Sequence, residues 1–462
     1  MATQIRASLL FALAAEVFWS ASSADEKQTL PDVEGHLHPL LFMGGFGASM
    51  MQADLTKSSS PHWYCSTEAK DYNLWLYFSN LAPLKSNCWL DNMRLKWHDG
   101  KLQDFGVNIK LVGDHIGNAD VEKGFSKNLW GDLLSGVADL GYSGTSPYVG
   151  ALHYDWRLSP DDLIASGTFA KVKSTIEAFV TKSGGRKAVL VSLSYGSPLT
   201  HIFLSTFVDS AWKSKYIERW ISLSGVFGGS AELTRMAFYP EGGDFFHVPE
   251  ILPYISLPVA RDLSNTFSSS FALEPNFLRD DEVLLRATVA GQNKTYSKND
   301  VAKALVDAGL LEAHKVLQAT NLYRFHELAA PDVAVDCVYG IGDNTINSMT
   351  FGNGFDRPAT SYLYEDGDGV APTRSLARCA EWNNSTSARR FGKAGGNTPP
   401  LVSVYAYPHI GHGGSLHSKE AVSAFSQIMH KLHANKGGKA ATPSAGASAT
   451  YGSSSTANSV LV

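Results

Sequence analysis

The chain has 462 residues, 44% of them hydrophobic, so it is long enough to bury the core of one large α/β unit with insertions. Its formal net charge of −5 gives no basic field, which argues against nucleic acid as a partner. No run of about 18 apolar residues follows the N-terminal segment, so we expect no transmembrane span in the mature chain.

Residues 1–24 have the pattern of a secretory signal peptide. Arg6 precedes an apolar run at residues 7–15, and small residues at 22–24 provide a cleavage site. Glu16 interrupts the apolar region, which leaves a signal anchor as the alternative. The sequence therefore predicts export.

An early buried strand is predicted at residues 40–43, and the glycine-rich loop GGFG at 44–47 ends it. An insert at about 50–97 follows and is rich in Trp and Tyr. These side chains favour membrane interfaces, because one end of the ring is apolar and the other is polar. Trp63 and Trp75 are therefore candidates for contact with a lipid surface, and a place in the core is the alternative for each.

An amphipathic helix is predicted at about 160–183, ended by Gly184 and Gly185. Its apolar residues recur at helical spacing and would face the core. They are Phe169, Val172, Ile176, Phe179 and Val180.

The stretch VLVSLSYGSP at residues 189–198 is the most informative in the chain. An apolar, β-branched run leads into a small-x-Ser-x-Gly turn, and a helical pattern follows, which is the layout of a nucleophile elbow. Ser192 and Gly196 are small enough for the sharp turn, and Pro198 fits the first turn of the helix. Ser194 would lie where backbone N–H groups stabilise an oxyanion. The alternative is an ordinary Ser-Gly turn on the surface.

The segment from about 226 to 330 shows no alternating pattern of strands and helices. We interpret it as a cap over the site. From about 333 to 434 the pattern returns to the core and closes with an amphipathic helix. Residues 435–462 are mostly Ala, Ser, Gly and Thr, which cannot bury a core, so this tail is predicted to be disordered.

Two downstream loops carry the side chains that a serine nucleophile needs. In this arrangement the acid follows the serine in the chain and the histidine comes last. The loop YEDGDG at 364–369 offers Asp366 or Asp368, and the loop YPHIGHGG at 407–414 offers His409 or His412. The histidine would accept the serine proton, and the carboxylate would fix its tautomer.

Metal binding is the alternative for both loops. A calcium loop of the EF-hand type needs further ligands at alternating positions and a terminal Glu, which the acidic loop lacks. The two histidines have no Cys or acidic cluster near them in the sequence. We therefore predict neither a metal nor a cofactor.

Six blocks in order resemble the lecithin:cholesterol acyltransferase and lysosomal phospholipase A family of α/β-hydrolases. The resemblance runs from about residue 38 to 418 and implies an α/β-hydrolase core with a mostly parallel sheet, a lid loop and a cap. The blocks are HPLLFMGG at 38–45, CWLDN at 88–92, YDWRL at 154–158, ISLS at 221–224 with GGS at 228–230, CVYG at 337–340, and YEDGD at 364–368.

The resemblance assigns roles to particular residues. Ser194 matches the family nucleophile, Asp368 the acid and His412 the base, with Asp366 and His409 as the alternatives. The backbone N–H groups of Phe46 and Tyr195 match the oxyanion donors.

The chain also departs from the family pattern. Leu193 and Ser192 stand where the family usually has His and, before it, Gly or Ala. Gly44 replaces a Pro in the first loop, and residues 370–372 differ from the usual Thr-Val step. These changes remove no catalytic atom, so we expect them to affect substrate preference and pH optimum more than activity.

The four cysteines allow three connectivities. The resemblance and nearness in sequence both favour two disulfides, Cys65–Cys88 and Cys337–Cys379. Glycosylation acceptors are present at Asn293 and Asn384, the latter overlapping a second acceptor at Asn383.

The resemblance implies a phospholipase A-type lipid acyl hydrolase that forms an acyl-enzyme on a phospholipid at a membrane or lipoprotein surface. A sterol or other alcohol O-acyltransferase using phospholipid as acyl donor shares this chemistry and is the first alternative. A neutral-lipid lipase or esterase is the second. An inactive lipid-binding relative is disfavoured, because the Ser, Asp and His set is complete. The expected location is outside the cell or in the lysosomal or vacuolar lumen.

Overall fold

The computed structural model describes residues 37–75, 77–103, 105–111, 125–240, 256–384 and 401–434. The predicted signal peptide and the predicted C-terminal tail lie outside the described residues. Within the described residues, the β-strands are β1 (Leu40–Met43), β2 (Met51–Thr56), β3 (Glu68–Trp75), β4 (Lys96–His98), β5 (Lys101–Gln103), β6 (Val107–Leu111), β7 (Val149–Ala151), β8 (Ala188–Leu193), β9 (Ile217–Leu223), β10 (Leu285–Val289), β11 (Gln292–Tyr296), β12 (Val335–Ile341), β13 (Asp343–Phe351), β14 (Ser361–Gly367) and β15 (Val402–Pro408).

The α-helices of the same ranges are α1 (Lys85–Met93), α2 (Phe125–Ser135), α3 (Pro160–Ala165), α4 (Thr168–Lys182), α5 (Gly196–Ile202), α6 (Ser210–Tyr216), α7 (Ala231–Phe238), α8 (Leu257–Ser264), α9 (Ser269–Ala272), α10 (Val301–Asp307), α11 (Leu311–Ala319), α12 (Thr373–Leu376), α13 (Gly414–His417) and α14 (Lys419–Ala434). A π-helical turn at Phe203–Phe207 continues α5. Segments of 3-10 helix lie at Phe78–Leu81, Ala138–Leu140, Lys298–Asp300, Phe325–Glu327 and Ala377–Asn384. Across the described ranges, no helix is both long enough and apolar enough to cross a bilayer.

Six parallel strands form the central sheet, in the order β15-β12-β9-β8-β1-β7. Every residue of β1 and β8 is buried, as expected for a parallel sheet that is covered on both faces. The predicted α/β core with a mostly parallel sheet is therefore confirmed. Because parallel strands end at the same edge of the sheet, the loops after β1, β8 and β15 lie near one another.

The helix predicted at about 160–183 is two helices. α3 and α4 are separated by Gly167, whose φ of +79° is a left-handed conformation that ends a helix. The five residues of α4 that were predicted to face the core are all buried. The periodicity identified the buried face, but it did not identify the break.

The aromatic insert folds around a small antiparallel sheet in the order β3-β2-β6. Because β6 pairs with β2, the insert extends to Leu111, beyond its expected end near residue 97. A hairpin of β4 and β5 and the helix α1 complete it. The loop between β2 and β3 is joined to α1 by a disulfide bond between Cys65 and Cys88.

A second sheet, in the order β11-β10-β13-β14, lies in the second half of the chain. It pairs β10 with β13 in parallel, so it joins residues of the predicted cap to residues beyond its expected end at about 330. This sheet has its own cluster of buried apolar residues, which includes Phe238, Tyr296 and Phe351. This link could not be predicted from the sequence, because it depends on pairing between distant strands.

Candidate active site

Ser194 lies in a sharp turn between β8 and α5. Its φ of +51° is in the left-handed region, which is uncommon for a residue with a side chain. The Ser194 backbone N–H donates to the Leu223 carbonyl at 2.9 Å, which holds the turn against the end of β9. This strand–turn–helix geometry is that of a nucleophile elbow.

Two glycines allow the loop after β1 to approach this turn. A Cβ on Gly45 would lie 2.8 Å from the Ser194 Cβ. A Cβ on Gly196 would lie 2.5 Å from the Gly44 carbonyl oxygen. Both distances are shorter than real Cβ contacts allow, so only glycine fits at these two positions without displacing the backbone.

A continuous hydrogen-bonded chain connects Ser194, His412 and Asp368. The Ser194 Oγ lies 2.8 Å from the His412 Nε2, and the His412 Nδ1 lies 2.7 Å from the Asp368 Oδ2. The Asp368 side chain is fully buried, and its other oxygen accepts the backbone N–H groups of Val370 at 3.0 Å and Ala371 at 2.8 Å. The structure thus brings together the three residues that the resemblance singled out, although they are far apart in the sequence.

The two alternative residues lie in other environments. Asp366 is part of β14, and its carboxylate accepts the Gly342 backbone N–H at 2.7 Å and the Thr373 hydroxyl. The side chain of His409 is 76% exposed, and its Nδ1 lies 3.3 Å from an oxygen of Asp343. Neither residue has a hydrogen bond to Ser194 among those of the described residues.

The loop of residues 44–47 forms a tight turn beside Ser194. The Ala48 N–H donates to the Gly45 carbonyl at 3.1 Å, and Gly47 has a φ of +76°, as such a turn requires. A trans peptide directs its N–H away from its carbonyl, so the Phe46 N–H is directed away from the Ala48 side of the turn. Tyr195 is the N-cap residue of α5, and backbone N–H groups at this end of a helix have no partner within the helix.

Comparison with known proteins identifies the family. The sequence profile described as "Lecithin:cholesterol acyltransferase" matches residues 71–393. The chain belongs to the lecithin:cholesterol acyltransferase family.

This member of the lecithin:cholesterol acyltransferase family has relatives of moderate sequence identity. A phosphatidylcholine-sterol acyltransferase of Mus musculus is 28% identical over 382 residues, which cover 80% of this chain and 83% of the relative. A lysosomal phospholipase A and acyltransferase of Canis lupus familiaris is 27% identical over 356 residues, covering 75% and 83%. A chain in the crystal structure of the Tle4-Tli4 complex matches with a TM-score of 0.43 and 12% identity, over 86% of this chain and 98% of that one.

The string YDWRL at 154–158 provides hydrogen bonds that hold the site in place. The Tyr154 hydroxyl donates to the Gly44 carbonyl at 2.8 Å. Arg157 forms a two-pronged pair with Asp155, at 2.9 and 2.7 Å, and both residues are buried. The Leu158 carbonyl accepts the Tyr195 hydroxyl at 2.9 Å. These positioning contacts could not be predicted from the sequence, because they join segments that are distant in the chain.

Ser192, where the family usually has Gly or Ala, belongs to a buried hydroxyl network. Its Oγ accepts the Trp220 indole N–H at 2.7 Å and lies 2.9 Å from the Ser197 Oγ. Ser222 donates to the same Ser197 hydroxyl at 2.9 Å. The network links β8, β9 and α5 directly behind the elbow, so this departure from the family pattern has a structural partner in Trp220.

The structure contains both expected disulfide bonds, Cys65–Cys88 and Cys337–Cys379. Trp63, beside the first of them, is 94% exposed. The expectation that Trp75 contacts a lipid surface was wrong, because this side chain is 1% exposed and packs in the core. β3 pairs with β2 in a way that turns Trp75 inward, and this pairing is not visible in the local sequence.

The two expected glycosylation acceptors differ in what the structure describes. Asn293 is exposed on β11, next to the turn of the β10–β11 hairpin. The side chain of Asn384 lies outside the described residues, whereas its neighbour Asn383 exchanges two hydrogen bonds with the backbone of Val402. Within the described part of the chain, no group of three or more His, Cys, Asp or Glu side chains is arranged to hold a metal ion.

His201, on the same helix as the elbow, is fully buried. Its Nδ1 lies 2.8 Å from the Tyr323 hydroxyl, and its Nε2 lies 2.9 Å from the Ala329 carbonyl. Burial lowers the pKa of His201 from 6.5 to about 4, and the hydrogen bond to Ala329 offsets only part of this effect. His201 is therefore neutral in the folded protein at pH values where the unfolded chain is already protonated.

We expect His201 to make the protein less stable in acid. Its contribution to the free energy of unfolding is fully present above pH 6.5 and is lost as the pH falls towards about 4, a change of about 3 kcal/mol. Denaturant unfolding of the wild type and of His201→Gln across this range measures the effect. Glu274, whose pKa burial raises to about 8, contributes with the opposite sign. Because both proteins contain Glu274, its contribution cancels in the difference between them, which isolates His201. Equal pH dependence in both would contradict the assignment.

Proposed function

We propose that this protein is a serine-dependent phospholipase A-type lipid acyl hydrolase that passes through an acyl-enzyme and can transfer the acyl group to an alcohol. Ser194 is the nucleophile, His412 the general base and acid, and Asp368 the orienting carboxylate. The observation that carries the proposal is the hydrogen-bonded chain from the Ser194 Oγ to the His412 Nε2 at 2.8 Å and from the His412 Nδ1 to Asp368 at 2.7 Å. A base within this distance is positioned to activate a serine hydroxyl.

The first half-reaction cleaves the ester. The Ser194 oxygen attacks the acyl carbonyl carbon while His412 takes the serine proton, and the Phe46 and Tyr195 N–H groups stabilise the negative charge on the carbonyl oxygen. The buried Asp368 carboxylate stabilises the imidazolium. When the tetrahedral intermediate collapses, the ester C–O bond breaks and His412 protonates the leaving oxygen of the lysophospholipid. The acyl group remains on Ser194.

The second half-reaction releases the acyl group. His412 removes a proton from the incoming acceptor hydroxyl, whose oxygen attacks the acyl carbonyl and displaces the Ser194 oxygen. That oxygen recovers its proton from His412. Water as acceptor yields a fatty acid, and an alcohol yields a new ester, so hydrolysis and acyl transfer differ only in the acceptor. The names of the relatives include both phospholipase A and sterol acyltransferase activity.

A phospholipid substrate is supported by the exposed apolar tip of the insert. Trp63 is 94% exposed and lies two residues before Cys65, and Leu84 is 62% exposed and lies four residues before Cys88, so both are close in sequence to the disulfide that closes this tip. An exposed Trp gains free energy when it enters the headgroup region of a lipid layer. We propose that this disulfide-closed tip contacts the membrane or lipoprotein surface from which substrate enters.

Product analysis tests the proposed reaction. The purified protein is incubated with a phosphatidylcholine that carries two different acyl chains, with and without an added long-chain alcohol or sterol, and the products are identified by mass spectrometry. The expected products are a lysophospholipid with a free fatty acid, and additionally an acyl ester when the alcohol is present. Hydrolysis of triglyceride without hydrolysis of phospholipid would contradict the substrate assignment. Failure of a fluorophosphonate probe to label Ser194 would contradict the mechanism.

Replacing Trp63 with Ala should lower activity on phospholipid vesicles more than activity on a soluble short-chain ester. Both substrates use the same catalytic residues, but only vesicles require adsorption, which the loss of an inserted Trp weakens by about 1–3 kcal/mol. Because Trp63 is almost fully exposed, its replacement should leave the melting temperature unchanged. The ratio of the two activities, measured with a vesicle-binding assay, checks the prediction.

Leu84→Ala and Trp75→Ala are the comparisons for Trp63→Ala. Leu84→Ala should give a smaller effect of the same kind, because it removes less exposed apolar area. Trp75→Ala should lower the melting temperature and impair both substrates, since its ring is buried. Equal losses on vesicles and on the soluble ester in the Trp63 variant would place the docking surface elsewhere.

We propose that the protein acts outside the cytosol, either secreted or in a lysosomal or vacuolar lumen. Its two disulfides are typical of oxidising compartments, and the pattern of residues 1–24 favours export. Fractionation of cells that express the full chain, with N-terminal sequencing of the mature protein, tests both points. A reduced, uncleaved protein in the cytosol would contradict them.

A further inference from the structure

The turn that carries the Phe46 N–H is held at three backbone carbonyls. The Gly44 carbonyl accepts the Tyr154 hydroxyl at 2.8 Å, and the Gly45 carbonyl accepts the Ala48 N–H at 3.1 Å. The Gly47 carbonyl accepts the indole N–H of Trp75 at 2.6 Å. Peptide planes are rigid, so fixing these carbonyls also fixes the direction of the N–H groups between them.

Of the three residues that donate hydrogen bonds to these carbonyls, Trp75 is the one that belongs to the aromatic insert. Its ring lies 5.0 Å from the ring of Trp156, and that ring in turn lies 5.1 Å from the ring of Phe46. Trp75 therefore touches the turn in two ways, directly through the Gly47 carbonyl and indirectly through Trp156. Both Trp residues are almost fully buried, so these contacts are shielded from water.

The same indole connects the turn to the disulfide-closed tip. Trp75 stacks on Trp89 with ring centroids 6.3 Å apart, and the Trp89 indole N–H donates to the carbonyl of Leu74 at 2.7 Å. Trp89 follows Cys88, the partner of Cys65 in the disulfide. A short chain of bonds and contacts thus runs from the exposed tip, through the disulfide and two buried indoles, to the Gly47 carbonyl.

We propose that Trp75 is a positioning residue that aligns the Phe46 N–H for the transition state and makes this alignment depend on the disulfide-closed tip. The inference rests on the proposed function, in which the Phe46 N–H stabilises the oxyanion. A misaligned oxyanion donor weakens binding of the transition state more than binding of the substrate, so turnover falls while substrate affinity is retained.

The test is Trp75→Phe, which keeps an aromatic ring in the core and removes the indole N–H. On a soluble short-chain ester, we expect kcat to fall about 10-fold or more with KM nearly unchanged, below the 10²–10³-fold loss typical of removing a donor outright. Affinity for an alkylboronic acid, which forms a tetrahedral adduct with a serine, should fall in parallel with kcat. Loss of packing alone would not change the affinity for this transition-state analogue relative to KM.

Trp212→Phe is the matched control. Trp212 is also buried, and its indole N–H donates to Glu177 at 2.7 Å on helices α6 and α4. The Trp212→Phe variant should be destabilised to a similar degree as Trp75→Phe. Its kcat and its affinity for the boronic acid should stay at the wild-type values. Equal kcat losses in the two variants, or an unchanged kcat in Trp75→Phe, would overturn the positioning role. A wild-type protein that no serine-directed probe labels would instead overturn the proposed function on which the inference rests.

Coupling to the tip is tested with the double variant Cys65→Ala/Cys88→Ala and with Trp89→Phe. Both should lower kcat and boronate affinity on the soluble ester in the same direction as Trp75→Phe, although no membrane is present. Normal kcat and boronate affinity in both would overturn the coupling and leave Trp75 as a local support of the turn.

Discussion

Replacement of Ser194 by Ala is expected to lower ester turnover by at least about 10⁴-fold while the protein remains folded. The hydroxyl removed is the only part of the side chain that reaches His412, at 2.8 Å. The backbone of the elbow is held separately, by the Ser194 N–H to the Leu223 carbonyl. Steady-state kinetics on a soluble ester and on phospholipid vesicles, with a melting curve for each protein, measure the loss.

Ser174→Ala is the control for this change, because Ser174 is a surface serine whose hydroxyl donates to the Lys171 carbonyl of its own helix. It should retain normal activity. The double variant Ser194→Ala/His412→Ala should be no less active than Ser194→Ala, since residues that act as a unit have non-additive effects. Hydrolysis near the wild-type rate in Ser194→Ala would show that another residue is the nucleophile.

Asp368→Asn should lower turnover by about 10⁴-fold, because an amide cannot hold the tautomer and charge of His412 as a carboxylate does. Asp368 is fully buried at 2.7 Å from the His412 Nδ1, so no water can replace the lost acceptor easily. Measurement of kcat and fluorophosphonate labelling should both show slow reaction of a serine that is still present.

Asp366→Asn makes the same chemical change two residues away. Its oxygens accept the Gly342 N–H and the Thr373 hydroxyl, and neither contact reaches His412. We expect this variant to lose some stability and to keep most of its activity. If the two variants lost activity equally, the acidic loop would be structural and the orienting acid would have to be sought elsewhere.

The position of Ser194 could be predicted from the sequence because its geometry is local. A buried strand, a turn of small residues and a helix are encoded within residues 188–202, and the chain order of acid and histidine narrowed the search to two short loops. The choice of Asp368 over Asp366 could not be made from the residues themselves. It depends on where β14 ends, since Asp366 is still in the strand and Asp368 has left it.

What the sequence could not show depends on contacts between distant segments. Trp63 and Trp75 look alike in an aromatic insert, yet one is exposed and the other is buried by the pairing of β3 with β2. The second sheet requires β10 to find β13, about 60 residues further along the chain. The helical periodicity of the apolar residues likewise identified the buried face of α4. It gave no sign that Gly167 separates α3 from α4.

The place of β15 at the edge of the central sheet has a consequence for what a serine-directed probe reports. His412 is 218 residues after Ser194 in the chain and follows β15. Among the described strands, β15 is at one edge of the central sheet and is paired there with β12. The elbow lies at β8 in the interior of the sheet, whereas the position of His412 depends on the pairing of β15 with β12 at the edge. If Ser194 and His412 act as proposed, labelling by a serine-directed probe should therefore require that β15 is paired, so the probe should report on the integrity of this sheet edge as well as on the serine itself.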